Sequence, residues 1–193
     1  MLQRLISRRW MSQKTFFQCF PRTFPKGTPQ WQLDPSSLRK EYRQLQAQVH
    51  PDVAVAPQGN GTNKEDASAQ LNKAYNVLSH PLSRAQYMIR CMKDIDLTND
   101  EVSRQATNSD PALLSNIMDV HESLMECETE EEVKAIGKEN QERMNDLIEI
   151  LDKQFASKDY DGAVSTTVEL KYWSNLAEEI KEWTPGSRLE LHH

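Results

Sequence analysis

Long hydrophobic runs are missing from these 193 residues: no apolar stretch approaches the roughly 20 needed to cross a bilayer, so no membrane insertion is expected. Glycine is scarce, six in all, and none is set in a phosphate-binding loop, which argues against a nucleotide-handling enzyme. The three cysteines, Cys19, Cys91 and Cys127, are widely spaced and never form Cys-x-x-Cys. A zinc knuckle and a dithiol redox centre are thereby excluded. The thiols are expected to behave as small hydrophobes in a reducing compartment. No nucleophile motif or cluster of ligating side chains stands out, so no catalytic centre, metal or cofactor is expected. Strand-like alternation is absent as well, which leaves an all-α chain.

Acidic residues are absent until Asp34, although the net charge is −6. Residues 1–95 carry 14 basic and 6 acidic side chains, +8, whereas residues 96–193 carry 9 and 23, −14. Two modules with different partners fit that division. The acidic half would be repelled by phosphates, so nucleic acid is not an expected partner. Residues 1–14 hold Arg4, Arg8, Arg9 and Lys14, with Leu2, Leu5, Ile6 and Trp10 at helical spacing on another face. A basic, acid-free amphipathic start predicts a mitochondrial transit peptide, removed near Arg9 to Ser12, and a location in the matrix.

Beyond it, Phe16, Phe17 and Phe20 form an aromatic cluster before a Pro-rich stretch. Asp34-Pro35 marks a helix start, with Asp34 as N-cap and Pro35 just inside. Leu38, Tyr42, Leu45 and Val49 then recur as one apolar stripe, leaving Arg39, Lys40, Arg43 and Gln46 on the outside. Pro51 ends this helix at Val49-His50. Residues 53–66 read as a loop. A second helix follows with Leu71, Ala74, Tyr75 and Leu78 as its stripe, and a third runs from Leu82 to Met92. Residues 94–110 are polar and read as a linker. Three further helices are predicted at about 111–127, 130–156 and 159–183, long enough to form a small bundle. Ile117, Leu124 and Met125 of the first of these are expected in its core, and His121 at its rim or core.

The tripeptide His50-Pro51-Asp52 between two amphipathic helices resembles the defining turn of the J domain. Tyr42-Arg43-Gln44-Leu45 before it, Leu71-Asn72-Lys73-Ala74-Tyr75-Asn76-Val77-Leu78 after it, and the pattern Leu78, Pro81, Arg84, Tyr87 match the same family. The rigid turn projects an imidazole and a carboxylate, the latter suited to pairing with an arginine. Arg39, Lys40 and Arg43 extend it as a positive strip suited to an acidic surface. The resemblance implies that these six residues contact a DnaK-type chaperone and stimulate its ATPase. The chain itself is then not an enzyme.

A Gly/Phe-rich spacer and a repeated cysteine region are both lacking, and an acidic bundle follows the J domain instead. That arrangement is similar to the HscB family of iron–sulfur cluster biogenesis, and to its fungal mitochondrial branch in particular. The supporting segments are Phe16-Phe17-x-x-Phe20-Pro21, Leu33-Asp34, Ser109-Asp110-Pro111, Leu113-Leu114 and Glu169-Leu170-Lys171-Tyr172-Trp173. The resemblance implies a transit peptide over 1–14, a J domain over 15–93, a linker over 94–110 and a bundle over 111–193. That bundle is expected to bind an IscU-type iron–sulfur scaffold. The carried-over contact has an apolar centre at Leu113, Leu114, Met118 and Tyr172, with Asn116, Asp119, Glu122, Ser123 and Glu126 as polar rim. Met118 stands where the family usually has Leu, Asn116 where it has Lys, and Ser123 and Glu126 where it has Glu and Gln. A monomer is the default expectation. An ordinary J protein with other clients, its bundle serving as a docking arm, is the competing reading.

Overall fold

The structure, a computed structural model, describes residues 15–49, 61–107 and 111–185, with the backbone alone for 61–65 and 106–107. All regular structure among the described residues is helical: a 3-10 turn at Phe16–Cys19 and seven α-helices. The chain divides into two compact units, residues 1–94 and 95–193.

In the first unit α1 spans Pro35–Val49, α2 Gly61–Ser79 and α3 Pro81–Lys93. Asp34 caps α1 as expected: its carboxylate accepts from the Ser36 and Ser37 amides at 3.0 and 3.2 Å and from the Ser37 hydroxyl at 2.6 Å. Those bonds, the hydroxyl's foremost, hold its carboxyl below the usual range. Helices α1 and α2 pair antiparallel, because Tyr42 meets Asn72 and Tyr75 whereas Gln46, one turn on, meets Ser68. The Tyr42 and Tyr75 rings stack at 4.1 Å, the Tyr42 hydroxyl donates to Asn72 Oδ1 at 2.8 Å, and Gln46 Nε2 donates to Ser68 Oγ at 2.8 Å. The loop predicted for 53–66 is partly overturned, since α2 begins at Gly61. The Gly, Thr and Asn there have low helix propensity but extend a helix whose stability comes from its packed face.

The segment before α1 forms much of this unit's core. Phe17, Phe20 and Phe24 are fully or almost fully buried, with Phe17 edge-on to Phe24 at 5.0 Å. Phe16 stacks on Tyr87 at 4.5 Å and its amide donates to the Tyr87 oxygen at 3.0 Å. Burial pushes that phenol above its usual range. Arg84 is buried too. Its guanidinium lies 4.6 Å over the Trp31 ring and donates to the Leu78 carbonyl at 2.8 Å, at the C-terminal end of α2. Burial lowers it to about 10, so it stays charged at neutral pH. The motif residues Arg84 and Tyr87 are therefore structural.

Sequence reasoning missed Glu41. It sits among exposed charges yet is 4% exposed, and its carboxylate accepts from the Arg22 amide, the Thr23 amide and the Thr23 hydroxyl at 2.8, 2.7 and 2.7 Å. This one side chain clamps the N-terminal segment to α1. Glu41→Ala should cost about 2 kcal/mol, the worth of bonds to a charged acceptor partly replaced by water. Amide exchange at Arg22 and Thr23 should then speed up by roughly thirtyfold. Unchanged exchange would show that the clamp does not hold the segment.

In the second unit α4 spans Asp100–Thr107, α5 Pro111–Met125, α6 Glu130–Ser157 and α7 Tyr160–Glu182. The last three were predicted; α4 was not, and it corrects the reading of 94–110 as a linker. Asn99 caps it through the Glu101 and Val102 amides, and Asp100 and Glu101 suit its N-terminal dipole. The anchor is Lys171 of α7. Its ammonium donates to Asp100 Oδ1, Ser103 Oγ and the Leu97 carbonyl at 2.8, 3.1 and 3.3 Å. That hydrogen bond, and the charge behind it, hold the Asp100 carboxyl below its usual value. A depressed carboxyl contributes stability above its unfolded pKa and loses it as pH falls through the depressed one. The anchor should therefore survive acidification past about pH 4 and fail only below. In Lys171→Met, NMR titration should find Asp100 back in the ordinary range with α4 amides less protected.

Helix α6 opens on a capping box, the Thr129 hydroxyl accepting from the Glu132 amide at 3.3 Å while the Glu132 carboxylate accepts from the Glu128 and Thr129 amides at 2.9 and 3.0 Å. Lys158 in a left-handed conformation and the Asp159 cap turn the chain into α7. The core between them is built on Trp173, Leu151, Leu170 and Leu176, all essentially inaccessible. Arg143 lies 4.2 Å over the Trp173 ring, and Trp173 Nε1 donates to Glu169 at 3.2 Å. At Gly137 an added Cβ would come within 3.3 Å of Ile180, so α6 and α7 approach closely there.

Candidate partner-binding surfaces

Each unit carries one candidate surface. On the first, Arg39, Lys40 and Arg43 are exposed along one side of α1, next to the side that meets α2 through Tyr42 and Gln46. Helical geometry puts the three within about 100° of one another around the axis, a single basic strip. The strip runs toward Val49, where α1 ends. His50, Pro51 and Asp52 follow directly but lie outside the described residues, as do residues 1–14, expected to be a transit peptide, and Ser109-Asp110.

On the second unit, α5 has three sides. Ile117 and Leu124 are 7% and 0% exposed and form the inward side, with Leu113 and Val120 half-buried beside them. Asn116, Asp119, Glu122, Ser123 and Glu126 are all exposed on the polar side, where the Ser123 hydroxyl donates to the Asp119 carbonyl of its own helix at 2.9 Å. Between these sides runs an apolar stripe of half-buried Leu114, then Met118 at 69% and Met125 at 57% exposed. The placement of Met125 in the core is thus corrected. It lies two turns from Met118 on the outward stripe, whereas Ile117 and Leu124 do face inward.

His121 joins this helix to α7, its Nδ1 3.1 Å from Glu179 Oε2 with both side chains largely buried. Short connections make the bundle run up, down and up, so α5 and α7 point the same way. Two turns back from His121 is Leu114, and two turns back from Glu179 is half-buried Tyr172; the register brings them to about the same level. Of the Glu169–Trp173 segment, Lys171 anchors α4, Trp173 fills the core, and Tyr172 remains at the surface. The three thiols are half-buried and not joined in a disulfide, and burial pushes that of Cys91 up. Among the described residues no group of three or more His, Cys, Asp or Glu is gathered to hold a metal ion.

An antiparallel helix pair with a basic outer strip, leading into His-Pro-Asp, defines a J-type co-chaperone, and the DnaJ domain family matches residues 30–87. The family described as the HSCB C-terminal oligomerisation domain matches residues 109–181. The chain is 48% identical to the J-type co-chaperone JAC1, mitochondrial, of Saccharomyces cerevisiae over the full length of both chains. It is 31% identical to the human iron-sulfur cluster co-chaperone protein HscB over 78% of this chain and 63% of that one. A solved structure of the Jac1 co-chaperone from Saccharomyces cerevisiae matches at 47% identity with a TM-score of 0.80, covering 92% of this chain and 98% of that one. The chain belongs to the HscB and Jac1 family of mitochondrial J-type co-chaperones of iron–sulfur cluster biogenesis, whose members are not themselves catalytic.

Proposed function

We propose that this protein holds an IscU-type iron–sulfur scaffold on its second unit and presents it to a DnaK-type chaperone of the mitochondrial matrix. In this reading His50, Pro51 and Asp52, with Arg39, Lys40 and Arg43, dock on the chaperone and stimulate its ATPase. Hydrolysis tightens the chaperone's hold on the scaffold, and the cluster passes to recipient proteins. The observation that carries the reading is the exposed stripe of Leu114 and Met118. Met118 is an apolar side chain left outside and Leu114 is half-buried beside it, on a helix whose Ile117 and Leu124 are buried, with a polar row along one flank. An apolar centre with a polar rim is the anatomy of a protein–protein contact. The basic strip supports the other half, since clustered positive charge steers association with an acidic partner.

The test is steady-state ATP hydrolysis by the purified matrix chaperone, with this protein and an IscU-type scaffold added singly and together. Each alone should raise the rate, and both together should exceed the sum of the single effects. Failure of this protein to raise the rate under any of these conditions would refute the reading.

A further inference from the structure

We infer that Met118 and Met125 form a peroxide-sensitive switch on the scaffold-docking stripe, an inference that rests on the scaffold reading above. Leu114, Met118 and Met125 lie within about 40° of one another around α5, so the stripe continues past the family's apolar centre for two further turns. Its two outer members are thioethers, at 69% and 57% exposure. The other described methionines are shielded: Met88 is 3% exposed, and Met92 and Met144 are half-buried. Access governs oxidation of a thioether, so the two sulfurs on the stripe are selected over those in the packed interior.

The chemistry balances with hydrogen peroxide as the oxidant. A sulfur lone pair attacks one peroxide oxygen, the O–O bond breaks, and the sulfur gains that oxygen while the other leaves as water. Sulfur is oxidised by two electrons and the peroxide reduced by two. The product sulfoxide is polar and chiral where the thioether was flexible and apolar. A contact that derives its affinity from burying those side chains then has to bury an S=O dipole without a matched donor. Leucine at both positions would supply the same apolar area and could not be switched. A sulfoxide reductase reverses the step, two thiols becoming a disulfide as the oxygen departs as water.

The experiment treats the full chain with graded hydrogen peroxide, maps methionine oxidation by peptide mass spectrometry, and measures scaffold affinity by calorimetry before and after. Met118 and Met125 should oxidise well before Met88, Met92 and Met144, and affinity should fall tenfold or more. In the double variant Met118→Leu/Met125→Leu, affinity after peroxide should stay within twofold of that variant's own untreated value. Reductase treatment of the oxidised chain should restore binding. Equal oxidation of the shielded methionines, or an equal fall in the double variant, would overturn the switch. So would unchanged affinity of a chain oxidised at both positions while the untreated chain binds. Absence of scaffold binding by the untreated chain would instead remove the docking reading, and the switch with it.

Discussion

Asp52→Ala will abolish stimulation of the chaperone's ATPase while leaving the fold intact. In the proposed docking the Asp52 carboxylate, one residue after Pro51, pairs with an arginine of the chaperone. Removing it leaves that arginine desolvated and unpaired, a loss of about 2–5 kcal/mol for a charge pair in an interface. That corresponds to roughly thirtyfold to several thousandfold in affinity, enough to bring stimulation to background at micromolar protein. The fold should not notice, because Tyr42 to Asn72, Tyr42 on Tyr75, and Gln46 to Ser68 tie α1 to α2 without Asp52. Circular dichroism of the variant should match the parent. Scaffold binding, proposed for the other unit, is the internal control. Asp52→Asn separates charge from shape, and it should fail nearly as badly if the pairing is ionic. Stimulation that survives Asp52→Ala would dismiss the turn as the trigger.

How legible this protein was in its sequence varied with the range of the interactions involved. Helices α1, α5, α6 and α7 were visible because their stripes are local, and Asp34-Pro35 marked the start of α1 within four residues. Helix α4 was not, because six of its eight residues are polar and its anchor, Lys171, is remote in sequence. Glu41 was hidden for a related reason. A carboxylate flanked by Lys40 and Arg43 looks solvated, and nothing local shows that two backbone amides some twenty residues earlier will fold onto it. Met125 shows the limit of periodicity. Its spacing from Met118 and Leu114 places it on an apolar arc, but that arc on α5 is too wide to be buried whole, and spacing alone does not say which part faces inward. The residues proposed for docking came from the family pattern, which nothing in the packing tests; the exposed stripe that adds Met125 beside them appeared only with the three-dimensional packing.

That stripe bears the second large effect. The triple variant Leu114→Ala/Met118→Ala/Tyr172→Ala should lose scaffold binding by a hundredfold or more. Buried anchors in an interface cost about 2 kcal/mol or more each when truncated, and three neighbours lose cooperative exclusion of water as well. The protein has little to lose by the change, since Met118 is 69% exposed and Leu114 and Tyr172 are only half-buried. Bundle integrity depends instead on Trp173, Leu124 and Leu151, each wholly buried. The variant should thus melt close to the parent and still raise chaperone ATPase when the scaffold is left out, because the basic strip of α1 is untouched. Only the extra stimulation that depends on the scaffold should vanish. Substituting the rim, Asp119→Lys or Glu122→Lys, should act chiefly on the association rate and its salt dependence, since rim charges contribute little to the bound state. A triple variant that binds the scaffold like the parent would move the contact off this stripe altogether. A triple variant that fails to fold would leave Met118→Asp, at the most exposed of the three positions, to report on docking alone.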